Sequence, residues 1–318
     1  MTGPPAPWTT RFAPAPTGYL HLGHAVDALF VWGLARAFGG RVVLRVEDHD
    51  RGRSRELYEA ALLDDLEWLG LRPDEPQPAE LRQGAPSAWR QSDRGARYTA
   101  ALDGLDAGGL VYPCGCSRRT IRDAGGETTE GELRYPGTCR RRALPPASTP
   151  LRRVHLPPGE VTFTDLLLGP QRQVPAEQCG DLVARDRDGN WSYQFAVVVD
   201  DLEHGIDVVV RGADLLASTG RQILLRRLLG GSGEPLFLHH PLVHHPDGRK
   251  LSKSNRDTGI RDLRRAGWTA ADVLAEAARR AGLGETPRPL PPEALGEVLA
   301  ARFAGTGVEA ALAAAAAG

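Results

Sequence analysis

Arg11-Phe-Ala-Pro-Ala-Pro-Thr-Gly-Tyr-Leu-His-Leu-Gly-His24 reads as the end of a strand, a tight turn and the start of a helix. Arg11 and Phe12 close a short extended run. Pro14 and Pro16 cannot sit inside a strand ladder or a helix, so they force a loop. Gly18 allows the turn a positive φ. His21 and His24 fall one helical turn apart, ahead of the apolar run 25–32, and residues three apart on a helix share a face. Two imidazoles and several backbone N–H groups would then point the same way at a helix N-terminus, which is a site for a phosphate chain.

The flanking segments set the fold class. Residues 9–13 read as the first strand, 24–38 as a helix stopped by Gly39-Gly40, and 41–46 as a strand leading into the acidic turn Glu47-Asp-His-Asp50. Strand, helix, strand predicts an α/β fold with a parallel sheet and a right-handed crossover. The loop after the first strand falls at its carboxyl end, where open α/β sheets bind ligands.

Further along, Ser54 can cap a helix whose apolar residues Leu57, Ala61, Leu62, Leu66 and Leu69 share a face. Residues 71–83 form a Pro-rich connection and 93–107 an amphipathic helix. Between 110 and 175 helical periodicity fades. Cysteines, arginines and the short strands 151–156 and 161–165 take over, an insertion between two halves of the sheet. Residues 181–185 open the second half, and the apolar run 191–200 follows. Residues 206–211 suit a strand covered on both faces. A helix at 219–229, a strand at 236–240 and helices at 261–282 and 295–304 complete the pattern. The expected division is a disordered tail (1–8), a first half-sheet (9–109), an insertion (110–178), a second half-sheet (179–256), a helical C-terminal part (257–304) and an Ala-rich tail (305–318).

The chain has 318 residues, of which 41% are hydrophobic and 25% charged, ordinary values for a globular protein. Its 39 basic and 40 acidic residues give a net charge of -1, so nucleic acid would have to meet a local patch. The arginines at 118, 119, 122, 134, 140–142, 152 and 153 supply one candidate. No apolar run reaches the roughly 18 residues that span a bilayer. The start Met1-Thr-Gly-Pro-Pro-Ala-Pro lacks the form of a secretion signal, so the expected location is cytoplasmic, away from membranes. Three of the 4 cysteines cluster, which favours a metal site over a disulfide framework.

Far downstream, His245-Pro-Asp-Gly-Arg-Lys-Leu-Ser-Lys-Ser254 is a turn whose Lys250 and Lys253 could close over a triphosphate. With His21-Leu-Gly-His24 it resembles the two signatures of class I aminoacyl-tRNA synthetases. Arg11-Phe-Ala-Pro-Ala-Pro-Thr-Gly18, Leu44-Arg-Val-Glu-Asp48, Tyr193 in Trp191-Ser-Tyr193, and Arg211-Gly-Ala-Asp214 are similar to the glutamate-specific branch. The resemblance covers about 11–282. It implies a Rossmann-like class I catalytic domain that adenylates L-glutamate with ATP and Mg2+. In that resemblance Arg11, Tyr193 and Arg211 hold the substrate carboxylates, with Phe12, Ala13, Pro14 and Ala15 beside them. Glu47 meets the α-ammonium. His21, His24 and Lys253 bind ATP, and Lys250 helps Lys253 to stabilise departing pyrophosphate. The chemistry agrees, because two carboxylates and one ammonium need two cationic or strong-donor contacts and one anion, and arginine grips a carboxylate as a fork.

Cys114-Gly-Cys116 and Cys139 offer three soft thiolates, and tetrahedral zinc takes four ligands. Tyr135 stands where the resembled family has a tyrosine ligand, and His155 is the conventional alternative. One Zn2+ per chain would be structural, stapling the insertion. Cys179 lies beyond the insertion and reads as a small buried apolar residue.

The stretch after Ser254 is too short for an anticodon-binding region. The resemblance therefore narrows to a truncated paralogue, expected to act as a monomer. It would activate glutamate without tRNA and transfer it to the queuosine base in the anticodon loop of tRNA(Asp). The alternatives are a minimal synthetase charging tRNA(Glu) and a non-catalytic, synthetase-like nucleotide- or RNA-binding regulator.

Overall fold

A computed structural model describes residues 7–84, 86–126, 133–142, 144–243, 259–283 and 289–316. Its strands are β1 (Thr9–Phe12), β2 (Arg41–Leu44), β3 (Val111–Pro113), β4 (Arg152–Val154), β5 (Val161–Asp165), β6 (Gly169–Gln173), β7 (Leu182–Arg185), β8 (Val208–Gly212) and β9 (Leu236–His240). Its α-helices are α1 (Leu22–Phe38), α2 (Glu56–Trp68), α3 (Pro78–Arg82), α4 (Gly95–Ala107), α5 (Arg118–Asp123), α6 (Pro175–Gln178), α7 (Tyr193–Glu203), α8 (Thr219–Leu228), α9 (Ile260–Arg265), α10 (Ala270–Arg280), α11 (Leu295–Phe303) and α12 (Val308–Ala315).

Among the described residues, six strands form one sheet in the order β2-β1-β8-β9-β5-β6. Every neighbouring pair is parallel except the β5–β6 hairpin. The run Val208-Val209-Val210 of β8 is buried, as a strand covered on both faces requires. From β1 the chain moves to β2 on one side and later returns to place β8 on the other. A reversal of this kind opens a crevice beyond the carboxyl ends of the two central strands.

A second, antiparallel sheet has the order β3-β4-β7. Here the strand pairing departs from the expected division. β5 and β6, read as insertion, extend the main sheet. β7, read as opening the second half, belongs to the small sheet. Alternation and composition mark a segment as extended, but they do not name the strand it will lie against.

Several element ends also differ. Ser54 does not cap α2; the cap position is Arg55, without a side-chain bond. Leu57 is exposed, and Leu63 takes its place on the buried face. A 3-10 turn (Gln91–Arg94) precedes α4. The run 191–200, to which sequence pattern assigns no element, is largely α7, begun by Ser192 accepting the N–H of Phe195. The helical stretch 261–282 breaks into α9 and α10, and Thr269 and Asp272 form a capping box at the second start.

α1 is apolar around its whole circumference, with Ala25, Val26 and Ala28 through Ala35 buried, and such a helix belongs at the centre of a core. It contacts β1, β2 and β8 on the sheet side and α10, α11 and α12 on the other. Gly33 packs closely against α11, where an added Cβ would stand 2.7 Å from Leu299 Cδ2. The Ala-rich terminus is therefore no tail, since Val308 and Leu312 of α12 are buried in this same core. At the other end Trp8, assigned to a tail, is buried and donates its Nε1–H to Phe38 O at 3.0 Å. Residues 1–6 lie outside the described residues. No single helix among the described residues is long and apolar enough to cross a membrane.

Candidate active site

A cavity of about 510 Å3 occupies the crevice between β1 and β8. Arg11, His21, His24, Glu47, Tyr193 and Arg211 all line it, as do Ala13 and Ala15. Phe12 and Pro14 do not. Phe12 turns into the core against Trp32, with ring centroids 5.2 Å apart, and Pro14 accepts the Glu47 N–H through its carbonyl at 3.1 Å. A larger cavity, about 870 Å3, shares only His49 with this one and holds none of these groups.

His21 is the N-cap of α1 rather than a first-turn residue. Its Nδ1 accepts the N–H of Gly23 at 3.1 Å, and His24 Nδ1 accepts the N–H of His21 at 3.1 Å. The two histidines thus build a capping box, a role usually filled by hydroxyls and carboxylates. The bonds also set their protonation. A neutral imidazole whose Nδ1 accepts carries its proton on Nε2. Both rings are thereby held as Nε2–H donors, 4.0 Å apart between centroids, at the positive end of a helix.

Arg211 leaves the end of β8 and is almost wholly buried, at 4% exposure. Nε donates to His239 Nε2 at 3.0 Å, Nη1 to Gln222 Oε1 at 2.6 Å and Nη2 to Thr219 Oγ1 at 2.9 Å. Burial lowers its pKa from the usual guanidinium value, an effect that neighbouring Tyr193 opposes. Burial likewise raises the pKa of Tyr193 and of Glu47. Arg11 is fixed differently, with Nε on Asp201 at 3.2 Å and Nη1 on Val210 O at 3.1 Å.

Beneath the cavity floor lies a network that the sequence pattern does not single out. Arg45, fully buried, donates to Asp201 at 2.7 Å and to Glu47 at 3.2 Å. Although burial works against its charge, Arg11 and Arg45 hold Asp201 below the ordinary carboxylate pKa. Asp200 takes Arg94 at 2.6 Å and Gln91 at 2.7 Å. The available signal was the acid pair Asp200-Asp201 directly after Val197-Val198-Val199, since carboxylates in an apolar helical run need buried partners.

Lys250 and Lys253 lie outside the described residues. The described residues on either side both border the site. Val243 lines the cavity, and Gly259 bridges to His21 while Ile260 N donates to Leu20 O at 2.8 Å.

Away from the cavity, the Sγ atoms of Cys114, Cys116 and Cys139 lie within 4.8 Å of one another, all buried. The Tyr135 hydroxyl stands 3.4 Å from Cys114 Sγ and 3.9 Å from Cys116 Sγ and accepts the Cys139 N–H at 2.7 Å. Arg153 adds positive charge, with Nε 3.4 Å from Cys114 Sγ and its guanidinium 3.7 Å above the Tyr135 ring. Burial opposes the Cys139 thiolate, but hydrogen bonds from Tyr135 and the Gly115 N–H outweigh it and bring the pKa down to about 7. Burial pushes Cys116 up to about 11. Three thiols and a phenol oxygen in one buried cluster are a donor set that can hold a soft metal ion. His155 is elsewhere, 2.9 Å from Asp181 Oδ1. Cys179 packs with the separate core around Phe195. Of the arginines of this region, Arg153 is buried and Arg118, Arg119, Arg122, Arg134 and Arg140 through Arg142 are exposed.

Residues 8–287 match the family model for tRNA synthetases class I (E and Q), catalytic domain. A glutamyl-Q tRNA(Asp) synthetase of Symbiobacterium thermophilum is 44% identical over 298 residues, covering 90% of each chain. One of Geobacter sulfurreducens is 44% identical over 290 residues, covering 89% of this chain and 87% of that one. Among solved structures, a glutamate tRNA ligase of Elizabethkingia meningosepticum CCUG26117, in complex with its amino acid, is similar with a TM-score of 0.71 at 25% identity. That match covers 91% of this chain and 64% of the ligase, so the chain spans about two thirds of the solved protein's length.

Proposed function

Because the chain belongs to the class I (E and Q) tRNA synthetase family, we propose that it is a ligase that activates L-glutamate with ATP and transfers it to queuosine in tRNA(Asp). The observation that carries the reading is the meeting of Arg11, His21, His24, Glu47, Tyr193 and Arg211 around one cavity at the sheet's reversal point. Arg11, Tyr193 and Arg211 receive the two carboxylates of glutamate, and Glu47 receives its ammonium. A carboxylate oxygen of the α-carboxyl attacks the α-phosphorus of ATP, the α–β phosphate linkage breaks and pyrophosphate leaves. No covalent protein intermediate is needed, so the site contributes alignment and neutralisation of developing charge. His21 and His24 donate their Nε2–H groups to phosphate oxygens. Lys250 and Lys253 act on the departing pyrophosphate, and Mg2+ accompanies the nucleotide, held mostly by phosphates and water.

The glutamyl group then passes from the adenylate to a hydroxyl of the queuosine base in the anticodon loop, releasing AMP. The protein acts in this reading as a cytoplasmic monomer, and exposed arginines beside the small sheet meet RNA phosphates. Zn2+ is held by Cys114, Cys116, Cys139 and Tyr135 in a closed structural site, where it supplies cross-linking rather than catalysis.

The test offers radiolabelled glutamate and ATP with queuosine-containing tRNA(Asp), queuosine-free tRNA(Asp) or tRNA(Glu). Label confined to the queuosine form is the expected result. Label on tRNA(Glu) would favour a minimal glutamyl-tRNA synthetase instead.

A further inference from the structure

We propose that Gln222, Thr219 and His239 are positioning residues that set amino-acid specificity: they ligate Arg211 with neutral acceptors only, reserving its charge for the side-chain carboxylate of the substrate. The inference rests on reading the cavity as a glutamate site.

The contrast with the neighbouring arginines is direct. Arg11 meets Asp201, and Arg45 meets Asp201 and Glu47. Arg211, equally buried, has an imidazole nitrogen, an amide oxygen and a hydroxyl within bonding distance and, among the described residues, no carboxylate. A buried cation without a counter-ion is costly, and a bound anion removes that cost.

Two of the three acceptors are held in their accepting form by a further contact. His239 Nδ1 lies 2.6 Å from Asp165 Oδ2, which also accepts the His239 backbone N–H at 3.1 Å. With its proton on Nδ1, the ring presents the Nε2 lone pair to Arg211 Nε–H. Gln222 gives its amide N–H to Gln194 Oε1 at 2.8 Å, so Oε1 is the atom turned to Arg211. Gln194 in turn donates to Ser218 Oγ at 2.8 Å. The chain of orientation thus runs outward from the guanidinium through two shells.

The carboxylate that Arg211 takes is the non-reacting one. The α-carboxylate attacks phosphorus, and a tight fork from a cation on both of its oxygens would lower its nucleophilicity. A side-chain amide, as in glutamine, would leave Arg211 uncompensated, which is how a buried polar site rejects a near-isostere.

The experiment gives Arg211 an internal anion. In the 318-residue chain, Gln222→Glu puts a carboxylate where Oε1 now lies 2.6 Å from Nη1. ATP–pyrophosphate exchange is measured against glutamate, glutamine and ATP. The expected result is a glutamate KM raised about tenfold or more, an ATP KM within about twofold of the parent, and a glutamate-over-glutamine preference reduced about fivefold or more. A folded variant with the parent's glutamate KM and preference overturns the proposal, as does a parallel rise in both KM values, the mark of a merely structural role. If Gln222→Glu does not fold, Thr219→Asp carries the same test, because Thr219 opens α8 and a helix N-terminus favours an acid there. A parent protein that exchanges no glutamate would defeat the functional reading itself. A parent that does, with unaltered variants, defeats only this inference.

Discussion

Arg45 Nη1 and Asp201 Oδ1 stand 2.7 Å apart under the cavity, joining the segment that follows β2 to helix α7. Arg45 has no exposed surface, and Asp201 also holds Arg11. The contact therefore couples stability to the orientation of a cavity arginine. Asp201→Asn leaves two buried guanidinium groups short of an anion, and breaking such a pair costs about 3–5 kcal/mol. We expect a large fall in the denaturant midpoint together with weaker glutamate binding. Asp201 sits below its ordinary pKa of 3.8, so its contribution is complete above that value and fades as pH falls towards the folded-state pKa. The variant should lose part of the parent's acid-side slope. Equal slopes would show that Asp201 does not carry it.

Asp65 behaves in the opposite sense. Burial, aided by Asp64, raises its pKa from 3.8 to about 6. Between those values the folded chain binds a proton that the unfolded chain has released, so stability declines as pH rises through the window. Asp65→Asn should stabilise the protein by about 1–2 kcal/mol at pH 7, with the gain vanishing near pH 4. Thermal melts across that range test it, and a gain independent of pH would contradict the assignment.

His21 separates capping from chemistry. Asparagine is a good N-cap whose Oδ1 can accept the Gly23 N–H as Nδ1 does, but its amide N–H donors sit on a shorter side chain that does not reach the position of Nε2. His21→Asn should melt within a few degrees of the parent and lose about tenfold or more in ATP–pyrophosphate exchange. Retained exchange in a folded variant would remove His21 from phosphate binding.

The thiol cluster depends on Gly180. Its φ is +67°, and an added Cβ would lie 2.0 Å from the carbonyl oxygen of Tyr135, to which it bridges. Gly180→Ala should displace Tyr135 from the three cysteines and lower zinc content, as Cys139→Ala does more completely. Metal analysis of freshly purified protein reads both. About one zinc per chain in the parent, and the same in Gly180→Ala, would discount the tyrosine as a ligand.

Lys253→Ala should leave glutamate affinity largely intact and cut activation about tenfold or more. Unchanged pyrophosphate exchange would exclude Lys253 from the reaction.

Much of the site can be read from the chain because its signals are local. Two prolines and two histidines in His21-Leu-Gly-His24 and its approach define a strand end, a turn and a helix start from near neighbours alone, whereas the positive φ expected at Gly18 is not adopted. Arg11, Glu47, Tyr193 and Arg211 follow from resemblance to the glutamate-specific branch, and they line the same cavity. Three cysteines in one region announce a cluster for the same local reason.

What remained hidden depends on contacts between distant segments. Local pattern marks β5 and β7 as extended, yet only packing decides that the first joins the parallel sheet and the second the small one. The alanine-rich terminus looks featureless until α1, bare at Gly33 and apolar on every side, offers a surface that it and its neighbours can cover. Composition likewise shows that Arg211 is a cation, but the tertiary structure alone decides that its partners are neutral. The charge of a side chain is a property of the residue, whereas its compensation depends on what the fold brings within bonding distance.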